Sequence, residues 1–249
     1  FMNQLIQLHQ LLAQLRLKGM DLILEDILGK AEKYGLSVQE VLHELLLAEK
    51  KHKQERSLHY RIKQADLPFE WGLESFPFDR QPCIDKSRMM TLAGLGFIQR
   101  AENIVFIGPT GVGKTGLALG LLRKALLQGY RGKFYKVQNL MDQLFDSLAD
   151  RSSPRFLKRL ANYDFLLLDE LGYLTLGREQ MNMFFRLMDE RYSKNKPTMI
   201  TTNLEYDEWY EILEPAQMVA ALLDRLQHHC VTINMIDGDS LRRPEPAAT

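Results

Sequence analysis

The sequence has few cysteines, no long apolar run and no excess of either charge. Its 249 residues include two cysteines, Cys83 and Cys230, which lie far apart and without the spacing of metal ligands. This pattern argues against a disulfide framework and a zinc site, and it is typical of two reduced thiols in a cytosolic protein. No run of eighteen or more apolar residues is present, which argues against a membrane-spanning helix. The amino terminus also lacks a signal-peptide pattern, so we expect a cytoplasmic protein without membrane contact.

Charge and length leave the partners and the number of domains open. Lysine plus arginine equals aspartate plus glutamate, at 32 each, so any basic surface that binds nucleic acid must be local. A chain of this length forms either one large domain or one domain with an appendage.

The most specific motif is a glycine-rich loop that matches G-x-x-x-x-G-K-[ST]. A short β-branched run, residues 104–107, precedes it and leucines at helical spacing follow it, as a phosphate-binding loop between a strand and a helix requires. Backbone N–H groups of such a loop surround the β- and γ-phosphates, Lys114 adds a positive charge and the Thr115 hydroxyl can bind Mg²⁺. A glycine-rich turn without a ligand is the alternative. The predicted nucleotide-binding residues are Gly108, Pro109, Thr110, Gly111, Val112, Gly113, Lys114, Thr115 and Gly116.

A second motif, residues 165–170, is an apolar run that ends in Asp169 and Glu170. Such a run is typical of a strand buried on both faces of a parallel sheet. At the carboxyl end of that strand Asp169 would complete a Mg²⁺ site with Thr115, and Glu170 would orient and deprotonate an attacking water. Asp169 lies 55 residues beyond Lys114, which fits this Walker B interpretation.

Two further polar residues are candidates for the same site. Asn203 ends a predicted buried strand, where ligands bind in open α/β sheets, and is placed to sense the γ-phosphate. Arg225 lies on a helix that begins near Pro215, and an arginine there can stabilise transition-state charge from a neighbouring subunit. An ion pair with Asp224 or a charge at the helix carboxyl end is the simpler alternative. The predicted catalytic residues are Lys114, Glu170, Asn203 and Arg225.

The amino-terminal part of the chain is predicted to be helical. Leucines at helical spacing indicate two short amphipathic helices, and Ser37 with Glu40 has the pattern of a capping box that opens a third. The predicted inward residues of the third helix are Val41, Leu42, Leu45 and Leu46.

A connector rich in proline and aromatic residues follows, and we place a domain boundary there. Within it, Phe76 and Phe78 either pack in the core or stack near the nucleotide base. The predicted segments are a helical domain at 1–67, a second domain at 68–243 and a disordered tail at 244–249.

Basic residues cluster on two predicted helices. Each cluster is either a solvated helix face or a contact with DNA phosphates, and the phosphate loop elsewhere in the chain favours DNA. The predicted DNA-binding residues are Lys50, Lys51, Lys53, Arg155, Lys158 and Arg159.

These motifs occur in the order found in AAA+ ATPases, and the chain resembles one family of them more closely. It is similar to the IstB family, the ATP-binding helpers of insertion-sequence transposases, which resemble the DnaC helicase loaders. The likeness covers residues 76–243 well and the amino-terminal helices more loosely. Two departures are Leu241, where the family usually has an aromatic residue, and Gly116, where it often has histidine. Four stretches carry the likeness: residues 97–103, 168–174, 201–204 and 223–229.

The resemblance implies an α/β fold. We expect a P-loop AAA+ domain with a five-stranded parallel sheet in the order 5-1-4-3-2, preceded by a small all-α domain. The resemblance also makes Asn203 the sensor 1 residue and Arg225 the arginine that acts on a neighbour's nucleotide. Only 24 residues follow Arg225, too few for the helical lid domain of many AAA+ proteins, so we expect no carboxy-terminal lid. Without a lid, the positive charge that completes the nucleotide site would come largely from a neighbouring subunit. This implies a homo-oligomer that assembles with ATP.

The resemblance finally implies a function. We expect an ATPase that uses ATP and Mg²⁺, assembles on double-stranded DNA, remodels that DNA and recruits a cognate transposase, with the helical domain contacting the transposase, the DNA or both. A helicase loader of the DnaC type is the alternative within this fold. A small-molecule P-loop kinase and a binding module without turnover fit less well, because Glu170 suits the activation of water.

Overall fold

The computed structural model describes residues 2–149, 151–172 and 176–242. Some sequence-based predictions lie outside the described residues. They are Tyr173 and Leu174 in one family-like stretch, Arg243, and the tail predicted at 244–249. None of the described helices is long and apolar enough to cross a membrane.

The residues up to Tyr60 form one compact unit, which is helical. Its elements are α1 (Met2–Gln14), α2 (Lys18–Tyr34) and most of α3 (Val38–Ala65). Gly35 ends α2 in the left-handed conformation with a φ of 66°, where glycine is favoured. The predicted capping box is confirmed, because Ser37 N–H donates to the Glu40 carboxylate over 2.7 Å and Glu40 N–H donates to Ser37 Oγ over 3.3 Å.

Glu49 connects α3 to the first turn of α2. Its buried carboxylate accepts the N–H groups of Gly19, 2.6 Å away, and Met20, 3.2 Å away. These are N–H groups that a helix start leaves without an internal partner. A Cβ on Gly19 would lie 2.6 Å from the Ala48 carbonyl oxygen, so glycine permits this close approach of the two helices.

The predicted inward face of α3 is wrong for two of its four residues. Val41 and Leu45 are half-buried, but Leu42 and Leu46 are 53% and 58% exposed. The more buried stripe of α3 passes from Leu45 to Glu49, which are one helical turn apart. Leu42 and Leu46 each lie one position further along the helix and therefore face away from this stripe.

The residues from Arg61 onward form the second compact unit, in which strands and helices alternate. Its helices are α4 (Lys86–Leu92), α5 (Gly96–Gln99), α6 (Lys114–Leu127), α7 (Val137–Ala149), α8 (Ser153–Ala161), α9 (Arg178–Ser193), α10 (Trp209–Ile212) and α11 (Ala216–His228). Its strands are β1 (Asn103–Ile107), β2 (Gly132–Lys136), β3 (Phe165–Leu171), β4 (Thr198–Thr202) and β5 (Cys230–Asn234). Short 3₁₀ helices lie at Leu73–Ser75, Phe78–Arg80 and Tyr206–Glu208.

The five strands form one parallel sheet in the order β2-β3-β4-β1-β5. This is the predicted order 5-1-4-3-2 counted from the other edge, so the predicted α/β fold class is confirmed. Side chains of β1 alternate between two cores, with Ile104 and Phe106 on the side of α6 and Val105 and Ile107 on the side of α7, α9 and α11. Burial on both faces explains the continuous apolar runs at 104–107 in β1 and at 165–168 in β3.

The order of the strands places the predicted motifs together. β3, β4 and β1 are neighbours and run in the same direction, so the loops that follow them leave at one edge of the sheet. The phosphate loop follows β1, Asp169 and Glu170 lie near the carboxyl end of β3, and Asn203 follows β4. The site therefore lies at the carboxyl edge, where open α/β sheets bind ligands.

Candidate nucleotide-binding site

The glycine-rich loop between β1 and α6 depends on glycines with positive φ. Gly111 has a φ of 92° and Gly113 a φ of 101°, in the left-handed region that favours glycine. α6 begins directly afterwards, at Lys114, so the N–H groups of its first turn face the loop. A Cβ on Gly113 would lie 2.6 Å from the ring of Phe76. The loop is thus fixed by side-chain packing as well as by its own backbone.

Lys114 lies within the loop. Its ammonium donates to the carbonyl oxygens of Gly108, 2.6 Å away, and Pro109, 2.8 Å away. Burial lowers the pKa of Lys114, and the nearby Asp169 carboxylate opposes that shift. A cation withdrawn from water interacts more strongly with an anion than an exposed one does. The position therefore suits the phosphates of a nucleotide.

Asp169 accepts two hydroxyl hydrogen bonds beside the loop. Thr115 Oγ1 donates to Asp169 Oδ1 over 2.8 Å, and Thr201 Oγ1 donates to the same oxygen over 2.5 Å. Asp169 is 2% exposed, and burial raises its pKa although both hydroxyl bonds act in the opposite direction. A carboxylate whose charge is disfavoured by burial is stabilised by a nearby cation.

The two predicted metal ligands fit a magnesium ion. Mg²⁺ prefers hard oxygen ligands and usually takes one or two carboxylates together with phosphate and water oxygens. Thr115 supplies a hydroxyl and Asp169 a carboxylate, and the structure brings these two groups into contact. They would hold the ion together with the phosphates of a bound nucleotide.

Glu170 lies at a local irregularity in β3. The register of β3 with β4 shifts between Leu168 and Leu171, and Glu170 has a φ of 63°. Its N–H donates to Thr201 Oγ1 over 3.0 Å, and its carboxylate lies 2.7 Å from Lys136 Nζ. A left-handed backbone at a residue with a side chain is strained, and such strain is concentrated at functional sites. The irregularity allows both acids of the motif to reach the site.

Asn203 follows β4 and lines the same site. Its buried Oδ1 has no hydrogen-bond partner among the described residues. Gly172, with a φ of 122°, lies against it, and a Cβ there would be 2.5 Å from that oxygen. Glycine at position 172 therefore leaves space for the Asn203 amide, and the amide keeps hydrogen-bonding capacity for a ligand.

The loop, the ends of β3 and β4 and two segments outside the sheet enclose a cavity of about 280 Å³. The predicted residues that line it are Thr110, Gly111, Gly113, Lys114, Thr115, Gly116, Glu170 and Asn203. The lining residues that were not predicted are Phe69, Trp71, Thr201, Thr202, Leu241 and Arg242. Of the other loop residues, Gly108 and Pro109 bind Lys114 through their carbonyls and Val112 is fully buried.

The aromatic residues at the cavity differ from those considered in the sequence. Phe76 is 4% exposed and packs edge-to-face on Phe78, with ring centroids 4.9 Å apart, and neither residue lines the cavity. The core-packing interpretation of this pair is therefore correct. Phe69 and Trp71 line the cavity instead. They lie in the same aromatic connector. The composition of this connector therefore indicated the right region, but the pair considered for contact with the base was the wrong one.

Arg225 forms its contacts on α9 and α11. Its Nε lies 3.0 Å from Asp189 Oδ1, its guanidinium lies 5.0 Å from the centre of the Phe185 ring, and its Nη1 donates to the Ala221 carbonyl. The alternative of an ion pair with Asp224 is therefore wrong, because the partner is Asp189 from the neighbouring helix.

The position of Arg225 in the fold separates it from the nucleotide cavity. α11 leads into β5, whose first residue Cys230 pairs with Asn103, the first residue of β1. Asn103 also donates to the carbonyl of Leu226, the residue after Arg225. Arg225 thus lies near the amino edge of the sheet, whereas the phosphate loop lies at the carboxyl edge. It is not among the residues that line the cavity.

The two basic clusters lie in different units, and their six residues are exposed. In the first unit, Lys53 lies 3.3 Å from the Glu49 carboxylate. In the second, the Arg159 guanidinium lies 4.9 Å from the centre of the Phe156 ring. Arg155 and Arg159 also line a surface pocket of about 420 Å³ beside α8. The assignment of these residues to DNA stays a prediction.

Proteins similar to this chain are named for ATP binding, and a solved structure shares its fold. A Pseudomonas aeruginosa protein, whose name associates it with ATP binding and with insertion sequence IS21, is 38% identical over 96% of this chain and 89% of its own length. A Geobacillus stearothermophilus protein named in the same way for insertion sequence IS5376 is 35% identical over 86% of this chain and 85% of its own length. A crystal structure of DnaI has a TM-score of 0.55 at 19% identity, over 70% of this chain and 91% of that one, which shows a shared fold.

A family described as IstB-like ATP binding protein matches residues 10–247, which is nearly the whole sequence. Both relatives are more than 30% identical over most of the chain. The phosphate loop and the acids at the end of β3 lie within the matched residues. The chain therefore belongs to the family of IstB-like ATP-binding proteins.

Proposed function

We propose that this protein hydrolyses ATP with Mg²⁺ at the cavity described above, and that it is the ATPase partner of an insertion-sequence transposase. The observation that carries the ATPase proposal is the hydrogen-bonded group of Thr115, Thr201 and Asp169 beside the phosphate loop, with Glu170 as the next residue. P-loop ATPases use a loop hydroxyl and a strand-end acid in this way. The names of the relatives, which refer to ATP binding and insertion sequences, support the transposition role.

This proposal assigns a task to five polar residues at the cavity. Lys114 and the first turn of α6 bind the β- and γ-phosphates. Thr115 and Asp169 would hold Mg²⁺, which when bound would supply positive charge next to the phosphates. Glu170 accepts a proton from the attacking water once its carboxylate is released from Lys136. The Asn203 amide binds the γ-phosphate or that water.

We assign Arg225 to the site of a neighbouring copy. Its place near the amino edge of the sheet keeps it away from its own phosphate loop, and its guanidinium is 31% exposed. A second copy could bring this edge to the open side of the cavity. Hydrolysis would then depend on assembly, because an arginine supplied by a neighbour adds stabilisation of the transition-state charge on the phosphates.

Duplex DNA is the surface on which we expect this assembly. The exposed basic clusters on α3 and α8 offer positive charge in a chain without net charge, and phosphate contacts supply most non-specific DNA affinity. In this proposal ATP-bound copies mark and remodel the target DNA, the helical unit contacts the transposase, the DNA or both, and hydrolysis resets the assembly.

The ATPase proposal is tested by phosphate release from the purified protein with ATP and Mg²⁺, with and without duplex DNA. We expect turnover that DNA increases. Glu170→Gln should bind ATP with near-normal affinity and lose turnover by at least about a hundredfold. Equal rates for the two proteins would contradict the role of Glu170. A pull-down with the purified protein separates the two candidate roles. We expect it to capture the transposase, and capture of a replicative helicase in its place would favour the helicase-loader alternative.

The DNA contacts are tested with charge-neutralised variants. One variant replaces Lys50, Lys51 and Lys53 with glutamine, another replaces Arg155, Lys158 and Arg159, and a control replaces Arg16, Lys30 and Lys33, which are also exposed. Each lost phosphate contact should reduce the slope of log affinity against log salt by about 0.9. The variant that lacks the DNA-binding cluster should show a smaller slope than the wild type, and the control variant should not. If both variants match the wild type across salt, neither cluster binds DNA.

A further inference from the structure

Trp71 lies directly against the start of α6. A Cβ on Gly116 would be 3.1 Å from Trp71 Cε2 and 3.3 Å from its Nε1, which is closer than most side chains approach one another. The indole therefore occupies space that a side chain at position 116 would need. Gly116 follows Thr115, so this contact places the indole next to the residue that ends the phosphate loop.

Phe69 and Trp71 together form an aromatic wall of the cavity. Their ring centroids are 6.0 Å apart with an interplanar angle of 73°, and both rings line the cavity with the phosphate loop. Phe69 is 45% exposed, so its ring is accessible to a ligand in the cavity. The buried Trp71 Nε1 has no hydrogen-bond partner among the described residues, so the indole keeps a donor for a ligand.

We propose that the Phe69–Trp71 wall binds the base of the nucleotide, and that the close fit of Trp71 on Gly116 sets the affinity for that base. This proposal rests on the proposed function, in which the loop binds the triphosphate. The loop offers N–H groups and an ammonium, which recognise phosphate, whereas the wall offers apolar rings, which recognise the flat face of a base. The two halves of the cavity thus match the two halves of a nucleoside triphosphate.

The contributions of the wall and of the loop to ATP affinity can be measured separately. Inorganic tripolyphosphate carries the charge of the triphosphate and has no base, so it should bind the loop alone. Isothermal titration calorimetry of the full-length protein with ATP and with tripolyphosphate measures both contributions. Stacking of a base on one aromatic ring typically changes affinity by about tenfold or more.

The decisive variants are Trp71→Ala and Trp71→Phe, with Lys114→Ala as the control for the loop. We expect Trp71→Ala to weaken ATP by about tenfold or more and to leave tripolyphosphate unchanged. Trp71→Phe should lose less, and Lys114→Ala should lose both ligands. Equal weakening of ATP and tripolyphosphate by Trp71→Ala, or no change in ATP affinity, overturns the proposal. A wild-type protein that binds neither ligand would refute the proposed function as well.

Gly116 provides a second and independent test. In Gly116→Ala the added Cβ must displace the indole, so ATP should weaken while tripolyphosphate does not. In Trp71→Ala the indole is absent, so adding Gly116→Ala should cause no further loss. Losses that add in the double variant would show that position 116 acts on the nucleotide without Trp71, which contradicts the claimed fit.

The fluorescence of Trp71 reports on ligand binding at the wall. The chain has two tryptophans, and Trp209 is fully buried in the core on the other face of the sheet. Trp209→Phe therefore leaves Trp71 as the only reporter. Its emission should change when ATP is added and stay constant with tripolyphosphate. An emission that responds equally to both ligands would place the base elsewhere.

Discussion

Lys136 and Glu170 form an ion pair with an Nζ–Oε2 distance of 2.7 Å. Lys136 ends β2 and Glu170 lies near the end of β3, and these strands are neighbours in the sheet. The carboxylate that is proposed to activate water is therefore bound by a cation. Both side chains are almost half exposed, so this pair is weak and can open.

Removing Lys136 should increase basal ATP hydrolysis. Lys136→Met leaves Glu170 without its ion-pair partner, and since exposed pairs are worth at most about 1 kcal/mol, the rate should rise by no more than about fivefold. Lys136→Arg keeps the pair and should behave like the wild type. Steady-state phosphate release without DNA is the measurement. A lower rate in Lys136→Met would show that the lysine assists hydrolysis.

Thr201 should be required to position both acids. Its hydroxyl donates to Asp169 and accepts from the N–H of Glu170. Thr201→Val keeps the shape and removes both bonds, so it should lower the free energy of unfolding by about 1–3 kcal/mol and reduce ATPase activity. Thr201→Ser keeps the hydroxyl and should retain activity. Denaturant titration and phosphate release on the same samples check both effects, and full activity in Thr201→Val would exclude the positioning role.

The sequence predicted the parts of the site that depend on local chain chemistry. The turns at Gly111 and Gly113, the start of α6 at Lys114 and the acids that end β3 follow from motifs within a few residues. The order of the strands came from the family resemblance and is confirmed.

The parts that were not predicted arise from contacts between distant segments. Trp71 meets Gly116 from 45 residues away in the chain, and the Leu241 N–H donates to the Gly111 carbonyl. No local pattern encodes such approaches. The Lys136–Glu170 pair could have been inferred from the strand order, because adjacent parallel strands place their ends side by side.

Glu49 should contribute less stability to the helical unit as the pH falls. Burial alone raises the pKa of Glu49, but the N–H groups of Met20 and Gly19 and the Lys53 ammonium outweigh it and hold that pKa below its ordinary value. A lowered folded-state pKa gives stability that is present above the unfolded-state pKa and is lost as the pH falls through the folded-state pKa. Thermal melts followed by helical circular dichroism at several acidic pH values measure this loss.

Glu49→Gln isolates this contribution. It should lower the melting temperature at neutral pH and show a weaker decline in acid than the wild type, because the charged acceptor is already absent. Glu40, whose pKa is lowered by its bonds to Ser37, and His9, whose pKa is raised by its bond to Asp21, titrate in both proteins and cancel in the comparison. Identical pH profiles for the two proteins would show that Glu49 does not stabilise the unit through its charge.

Arg225 should act on the nucleotide of a neighbouring subunit. Glu170→Gln subunits lack the base and still offer Arg225, whereas Arg225→Ala subunits keep Glu170 and offer nothing to a neighbour. Each variant alone should be nearly inactive. Mixing them should partly restore ATPase activity, since an arginine supplied in trans is worth about a thousandfold or more in rate.

The Asp189 ion pair supplies the control for this mixing test. Asp189→Asn removes the partner of Arg225 within the subunit and leaves the guanidinium in place. If Arg225 serves hydrolysis in trans, Asp189→Asn should remain active. A loss equal to that of Arg225→Ala, together with no recovery in mixtures shown to co-assemble, would mean that Arg225 is a structural residue.

We propose that ATP bound at the phosphate loop drives assembly on duplex DNA. Electron microscopy of the full-length protein with a slowly hydrolysed ATP analogue, with and without duplex DNA, would reveal this assembly. We expect ordered multi-subunit particles on DNA with the analogue, and none for Lys114→Ala under the same conditions. Wild-type protein that stays monomeric throughout, or Lys114→Ala protein that assembles like the wild type, would contradict it.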